Sequence, residues 1–360
     1  MYKFSIRGGY GVSNFGDDLL MIVFENYLIK EFPESLLNFE SQGLNYPVKL
    51  LKRSSYDVKS FKEDWLIYGG GTQFFAFSDK NEFTLLQRIR RAMLSPEIIL
   101  NKIQRYFAKP KKVNIAILGL GLGPFYNEEY ISIVKDLLKD TKYIGLRDEQ
   151  SYLYCRDWDI KATLGADVVF SSYFYLPPFK GNEVTQKSKK IGVIVRDWEW
   201  EESGRAYFEP ILDFVEDYQS RPDIEIHYIL FSTKKDKEWI TLIGDSKRII
   251  WNPDESTVDD FLKVLANFDG FISARYHGAI VGALLGKPVI AIEIEPKLRL
   301  LRDQIPEMQL WSKPFDLEEL KNLVEKMDFN VDYSNSISKL RNASDKMLLE
   351  FRELVNLNRL

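Results

Sequence analysis

Cysteine is almost missing from these 360 residues. Cys155 is the only one, so no disulfide can form within the chain, and no Cys/His cluster suggests structural zinc. Histidine is nearly as scarce, with His227 and His277 the only two. No apolar stretch approaches the roughly 20 residues needed to span a bilayer. The amino terminus enters Tyr2-Lys-Phe-Ser-Ile without the long apolar region of a signal peptide. Neither charge sign prevails: 49 Lys and Arg against 53 Asp and Glu leave −4, which excludes a general polyanion-binding surface and hence nucleic acid as the partner. There is no G-x-x-x-x-G-K-[ST] loop, and Gly119-Leu-Gly-Leu-Gly-Pro124 spaces its glycines G-x-G-x-G instead of G-x-G-x-x-G. A soluble, cytoplasmic protein without cofactor or metal is the expectation.

What is present is apolar and rhythmic. A hydrophobic content of 45% is enough for a packed core, and the length favours two domains over one. Short apolar runs that end in glycine or a charged residue alternate with amphipathic stretches. They include Trp65-Leu-Ile-Tyr before Gly69-Gly70-Gly71, Val113 to Leu118 before Gly119, and Tyr143-Ile-Gly-Leu before Arg147-Asp148. Helices fit over Asp18 to Lys30, Phe83 to Phe107 and Ile131 to Lys139. Such alternation predicts parallel, doubly wound sheets. The segment from Leu176-Pro177-Pro178 to Lys190 has little apolar content and marks a linker. Beyond it the alternation restarts with Ile191–Val195, Ile224–Phe231, Arg248–Trp251, Gly270–Ser273 and Val289–Ile292. The division expected is an α/β domain over 1–180, a second over 181–335, and a helical tail over 336–360 that packs back on the first. Open α/β sheets bind ligands at the carboxyl ends of their strands, so the cleft between the two domains is the expected site.

Arg275-Tyr-His277-Gly278 follows the apolar run Phe271-Ile272 and opens the small-residue run from Ala279. A cation, a titratable group and a glycine thus meet where a strand turns into a helix, whose N-terminus favours an anion. Arg196 ends the strand Ile191–Val195, and Lys297 follows Glu295-Pro296 beyond another strand. Each is either a cleft residue or half of a surface ion pair. Asn14-Phe-Gly16-Asp17-Asp18 joins the first strand to the first helix, with Asp17 or Asp18 as its N-cap and the rest as a polar cleft loop. Gly70, Gly71 and Gly121 allow the backbone close approach to a ligand or to the other domain, and a tight turn explains the triple glycine equally well. His227, inside an apolar strand, has a structural role. Trp198-Glu-Trp200 either lines an acceptor site or forms a surface loop.

In order and spacing these segments resemble the polysaccharide pyruvyl transferase family. The match runs through Asn14-x-Gly16-Asp17, Gly69-Gly70-Gly71, Gly119-x-Gly121-x-Gly123-Pro124 and Arg147-Asp148-x-x-Ser151. It continues with Arg196, Ser273-x-Arg275-x-His277-Gly278 and Gly286-x-Pro288 leading to Pro296-Lys297. One departure is Ile294, where an aromatic residue often stands. The resemblance implies two Rossmann-like domains facing a cleft, as in GT-B glycosyltransferases. The second domain would face the donor and the first the acceptor. It also implies phosphoenolpyruvate as donor, a saccharide acceptor, free or lipid-linked, and a cyclic pyruvate ketal as product, made in the cytoplasm or at the inner face of the membrane. The family's two arginines and histidine correspond to Arg196, Arg275 and His277.

The residues fit that chemistry. Guanidinium groups match the carboxylate and phosphate of phosphoenolpyruvate in bidentate fashion. An imidazole, whose ordinary pKa is about 6.5, can protonate C3. Arg196 and Arg275 are then donor clamps, His277 the general acid and Lys297 a phosphate contact. Asn14, Gly16, Asp17, Gly70, Gly71, Gly121 and Gly278 line the substrate. Two other readings remain open: a glycosyltransferase with a nucleotide-sugar donor, and a non-catalytic glycan-binding protein of the same fold.

Overall fold

The computed structural model describes residues 1–40, 46–58, 61–76, 113–125, 128–178, 188–198 and 204–357. The helix expected over Phe83 to Phe107, Trp200 and most of the expected linker lie outside them. Among the described residues, no helix is long and apolar enough to cross a membrane.

Two parallel sheets organise the chain. The first contains β1 (Lys3–Arg7), β2 (Leu36–Glu40), β3 (Ser55–Tyr56), β4 (Trp65–Ala76), β5 (Asn114–Phe125), β6 (Tyr143–Leu146) and β7 (Thr163–Leu164). Their order is β3-β2-β1-β4-β5-β6-β7. The second contains β8 (Lys189–Val195), β9 (Ile224–Leu230), β10 (Arg248–Ile250), β11 (Gly270–Ser273), β12 (Val289–Ile292) and β13 (Gln309–Trp311), in the order β10-β9-β8-β11-β12-β13. Each sheet starts in its middle and winds outward in both directions. The chain therefore reverses beside β1 and again beside β8, and these reversals open crevices at the carboxyl ends of the strands.

Strands β4 and β5 run further than expected. The triple glycine does not end β4 in a turn: Gly69 pairs with Leu118, Gly71 with Leu120, and the ladder continues to Ala76 and Phe125. Positive φ angles at Gly70 (67°) and Gly71 (73°) reshape the strand while its pairing continues. These are angles that a side-chain-bearing residue adopts only at a cost.

The domains share one apolar core. Helix Phe15–Glu31 of the first domain points its N-terminus at the second. Phe15 packs against Phe231, Trp251 and Phe261 at ring-centroid distances of 4.8, 5.4 and 4.7 Å. Burying such a ring contributes about 1.5–3 kcal/mol. The Phe15 N–H donates to the Phe231 carbonyl at 2.9 Å, and Trp251 Nε1 donates to Asp18 Oδ2 at 2.8 Å. Asn14, not Asp17 or Asp18, occupies the N-cap position, without a side-chain capping bond. Asp18 is fully buried and binds the other domain instead.

Helix Ser334–Leu357 returns to the first sheet. Leu340, Ser344, Met347, Leu348, Phe351 and Val355 recur at helical spacing and form its buried face. Phe351 meets Trp65 at 5.3 Å, and the hydroxyls of Tyr2, Tyr27 and Tyr143 donate to the carbonyls of Val355, Leu348 and Met347. This is the packing expected of the tail.

Candidate active site

A cavity of about 980 Å³ lies between the carboxyl edges of the two sheets. Nine Lys and Arg side chains line it against five Asp and Glu, although the chain as a whole is slightly acidic. The positive balance is thus local, and it favours an anionic ligand.

The second domain supplies most of the cations. Strand β8 delivers Arg196, whose backbone is fixed from both sides: its N–H donates to Tyr207 Oη at 2.9 Å, and its carbonyl accepts from Trp239 Nε1 at 3.2 Å. Its guanidinium donates to Glu295 Oε1 at 2.5 Å and stacks 4.7 Å from the Trp198 ring. Of the two readings open for Arg196, this is a cleft residue, and its ion partner is Glu295, not Asp197. The Asp197 carboxylate instead accepts from the N–H groups of Glu238 and Trp239 at 2.8 and 3.0 Å, capping helix Lys237–Ile243. Burial, reinforced by nearby Asp236, pushes the Asp197 carboxyl up to about 6.

Lys297 also pairs with Glu295, at 2.8 Å. Burial, with Arg196 and Arg147 nearby, lowers the Lys297 ammonium to about 8 despite the pull of Glu295. Burial alone would raise the Glu295 carboxyl; Arg196 and Lys297 outweigh it and hold that carboxyl below the usual range. Ile294 is buried in the core, so this position does not present a ring to the cavity.

Arg275 leaves β11 as the N-cap of helix Tyr276–Leu284. That helix therefore begins at Tyr276, earlier than expected, and Gly278 lies within its first turn. Arg275 is buried, and its Nη2 donates to fully buried Asp236, while its Nε has no hydrogen-bond partner among the described residues. Burial and the neighbouring Arg196 charge lower the Arg275 guanidinium from its ordinary value, against the pull of Asp236. His277, one turn-step further, also lines the cavity. Its Nε2 faces Asp167 Oδ2 of the first domain at 3.5 Å.

The glycines divide by role. Gly16, Gly70, Gly71 and Gly121 line the cavity. A Cβ on Gly16 would stand 2.5 Å from His277 Nδ1, and one on Gly121 would stand 2.9 Å from Arg147 Nε. Both glycines thus make room for side chains of the site. Gly278 is different, because it packs beneath the cavity: a Cβ there would meet Ser273 Oγ at 2.5 Å and Ile194 Cδ1 at 2.8 Å. It is a packing glycine, a correction to its expected place against the substrate. Asn14 and Asp17 do line the cavity, joined by a 2.6 Å hydrogen bond, with Lys235 3.8 Å from Asp17. His227 lies outside the cavity and contacts Glu225 at 2.9 Å, in keeping with a structural role.

A family model for polysaccharide pyruvyl transferase matches residues 14–296. The chain belongs to that family. It is a transferase, and the family acts on saccharide acceptors. No curated protein matches the sequence significantly. Among solved structures, the chain is similar to UDP-GlcNAc 2-epimerase from Neisseria meningitidis, with a TM-score of 0.57 and 13% identity over 99% of each chain. The epimerase from Methanocaldococcus jannaschii gives a TM-score of 0.57 and 12% identity, over 98% of this chain and 99% of that one. At such identities the likeness shows the GT-B-like fold alone.

Four acidic or basic residues of this pyruvyl transferase escaped the sequence reading as site residues: Arg147 and Glu295, which line the cavity, and buried Asp167 and Asp236, which face His277 and Arg275. Arg147 is buried, meets Asp167 at 3.3 Å and lies 4.2 Å from the centre of the Tyr276 ring. Only the charged dipeptide Arg147-Asp148 at the end of β6 carried a signal for it. Asp236 and Glu295 occupy loops after β9 and β12 and announce themselves only through the arginines they hold.

Proposed function

We propose that this transferase moves pyruvate from phosphoenolpyruvate to two hydroxyls of a saccharide, free or lipid-linked, forming a cyclic ketal and releasing phosphate. The observation that carries the reading is the convergence of Arg196, Arg275, Lys297 and His277 on one cavity. Each cation there already has one acidic partner. The planar arginine forks keep further N–H donors for a ligand, so the carboxylate and phosphate of the donor complete their coordination. Domain 181–335 would hold the donor, and domain 1–180, through Asn14, Asp17, Gly70 and Gly71, the acceptor.

The acid is His277. Protonation of C3 makes C2 electrophilic, and the first saccharide oxygen adds there. Phosphate then leaves toward Arg196, Arg275 and Lys297, whose charges match the charge developing on it. The second hydroxyl captures C2 and closes the ketal; of the two hydroxyl protons released, one returns to the imidazole and the other leaves on the phosphate. No water is consumed. The cavity is far larger than a three-carbon donor requires, which leaves space for a sugar. The test is incubation with phosphoenolpyruvate and an acceptor library, read by mass spectrometry for a pyruvate ketal and by phosphate release. Stabilisation by nucleotide sugars alone, with no adduct, would overturn the reading.

A further inference from the structure

His277 has two ring nitrogens, and the structure treats them differently. Nε2 is buried, makes no hydrogen bond among the described residues, and faces Asp167 Oδ2 at 3.5 Å. Nδ1 lies against Gly16, where a side chain is missing and a Cβ would stand 2.5 Å away. Asp167 is itself fully buried. Its Oδ1 accepts from the Val169 N–H at 3.1 Å, and its Oδ2 is shared between Arg147 Nη1, at 3.3 Å, and the imidazole. Burial alone would raise this carboxyl, but His277, Arg147 and the Val169 N–H outweigh it and hold it below the usual carboxylate range. An ionised carboxylate only accepts, so the nitrogen that faces it carries the hydrogen.

We propose that Asp167 fixes His277 in its Nε2–H form and that Nδ1 is the nitrogen from which the proton reaches C3 of the donor. Asp167 is then a positioning residue, acting through His277 from the opposite domain. The identity of the proton-accepting carbon rests on the pyruvyl-transfer reading; the choice of nitrogen does not. In the step, the Nδ1–H bond of the imidazolium breaks and a C3–H bond forms with the electron pair of the C2=C3 double bond. The imidazolium becomes neutral imidazole, retaining its Nε2 hydrogen toward Asp167, and C2 carries the positive charge until the acceptor oxygen fills it. Gly16 leaves the space that Nδ1 needs. The 3.5 Å separation is longer than an ordinary N–H···O hydrogen bond, so the contact orients the imidazole mainly through charge.

The test uses full-length protein labelled with 15N in histidine. With two histidines in the chain, His227→Gln assigns the spectrum, since His227 lies outside the cavity. The expected result at a pH where His277 is neutral is a pyrrole-type Nε2 and a pyridine-type Nδ1. A neutral His277 that carries its hydrogen on Nδ1 overturns the proposal, and this measurement needs no change in the site. Asp167→Asn preserves shape and an acceptor for Val169, and should populate both tautomers. It should also lower kcat at least about tenfold, with KM for phosphoenolpyruvate within about threefold of wild type. An unchanged tautomer and kcat in Asp167→Asn would also overturn it. If no acceptor yields a ketal, the functional reading fails while the tautomer result stands.

Discussion

Truncation of Arg275 probes the electrostatics of the cleft, because its partner stays behind. Asp236 is fully buried, gives one carboxylate oxygen to Arg275 and accepts the Ser232 N–H on the other at 3.0 Å. Arg275→Ala strands that carboxylate, and breaking a buried pair from one side costs about 3–5 kcal/mol. In a domain of roughly 150–250 residues each kcal/mol corresponds to about 2–4 °C in Tm, so the fall should be roughly 6–20 °C. Adding Asp236→Asn removes the stranded charge while retaining an acceptor for Ser232, and the double variant should regain more than half of the loss. Donor affinity behaves differently. A hydrogen bond to a charged group contributes about 1.5–3 kcal/mol, so phosphoenolpyruvate should bind about 10- to 150-fold more weakly to the single and the double variant alike. Thermal melts and titration calorimetry on the four proteins of this cycle separate the two effects. A Tm for Arg275→Ala within about 2 °C of wild type, or a double variant no more stable than the single, refutes the buried-pair argument.

His277→Ala should lower kcat about 10²- to 10⁴-fold and leave phosphoenolpyruvate binding within about threefold, as steady-state rates and calorimetry will show; transfer at the wild-type rate would falsify the general-acid role. Lys297, lowered to about 8 by burial, loses its charge as pH rises through that value. KM for phosphoenolpyruvate should therefore climb between about pH 7.5 and 9, and Lys297→Arg should flatten the climb; an identical profile in the variant removes Lys297 from the donor site. Burial raises the Asp18 carboxyl to about 7, so the folded protein keeps a proton that the unfolded chain has lost above about pH 4. Stability should fall by up to about 1.4 kcal/mol per pH unit between pH 4 and 7. Asp18→Asn, whose amide oxygen still accepts from Trp251 and whose NH2 can donate to the Tyr46 hydroxyl, should lose most of that slope in Tm-against-pH measurements.

Much of this architecture is local in origin and so was visible in the chain. Apolar runs of four to seven residues alternating with amphipathic stretches specify parallel sheets without reference to anything distant. Arg196, Arg275 and His277 stand out because each sits at the end of such a run. Short, weakly apolar elements were harder to see: β2, β3 and β13 are stabilised by neighbours in their sheets, and helix Lys237–Ile243 by the Asp197 cap and buried Trp239, more than by their own pattern. The glycines misled in one respect, since a triple glycine after a strand signals a turn, yet the ladder between β4 and β5 continues through it.

The sequence by itself determined the fold class, the family and which strand ends carry the cations. Tertiary structure decided what holds those cations. Glu295 reaches Arg196 because β11 brings β8 and β12 to one edge of the second sheet, and Asp236 reaches Arg275 across β8. Asp167 meets His277 only because Phe15 and its aromatic partners hold the two domains against each other. A buried charge needs a partner within a few ångströms, and in a doubly wound fold that partner is set by strand order and domain contact. Neither is written in the spacing along the chain.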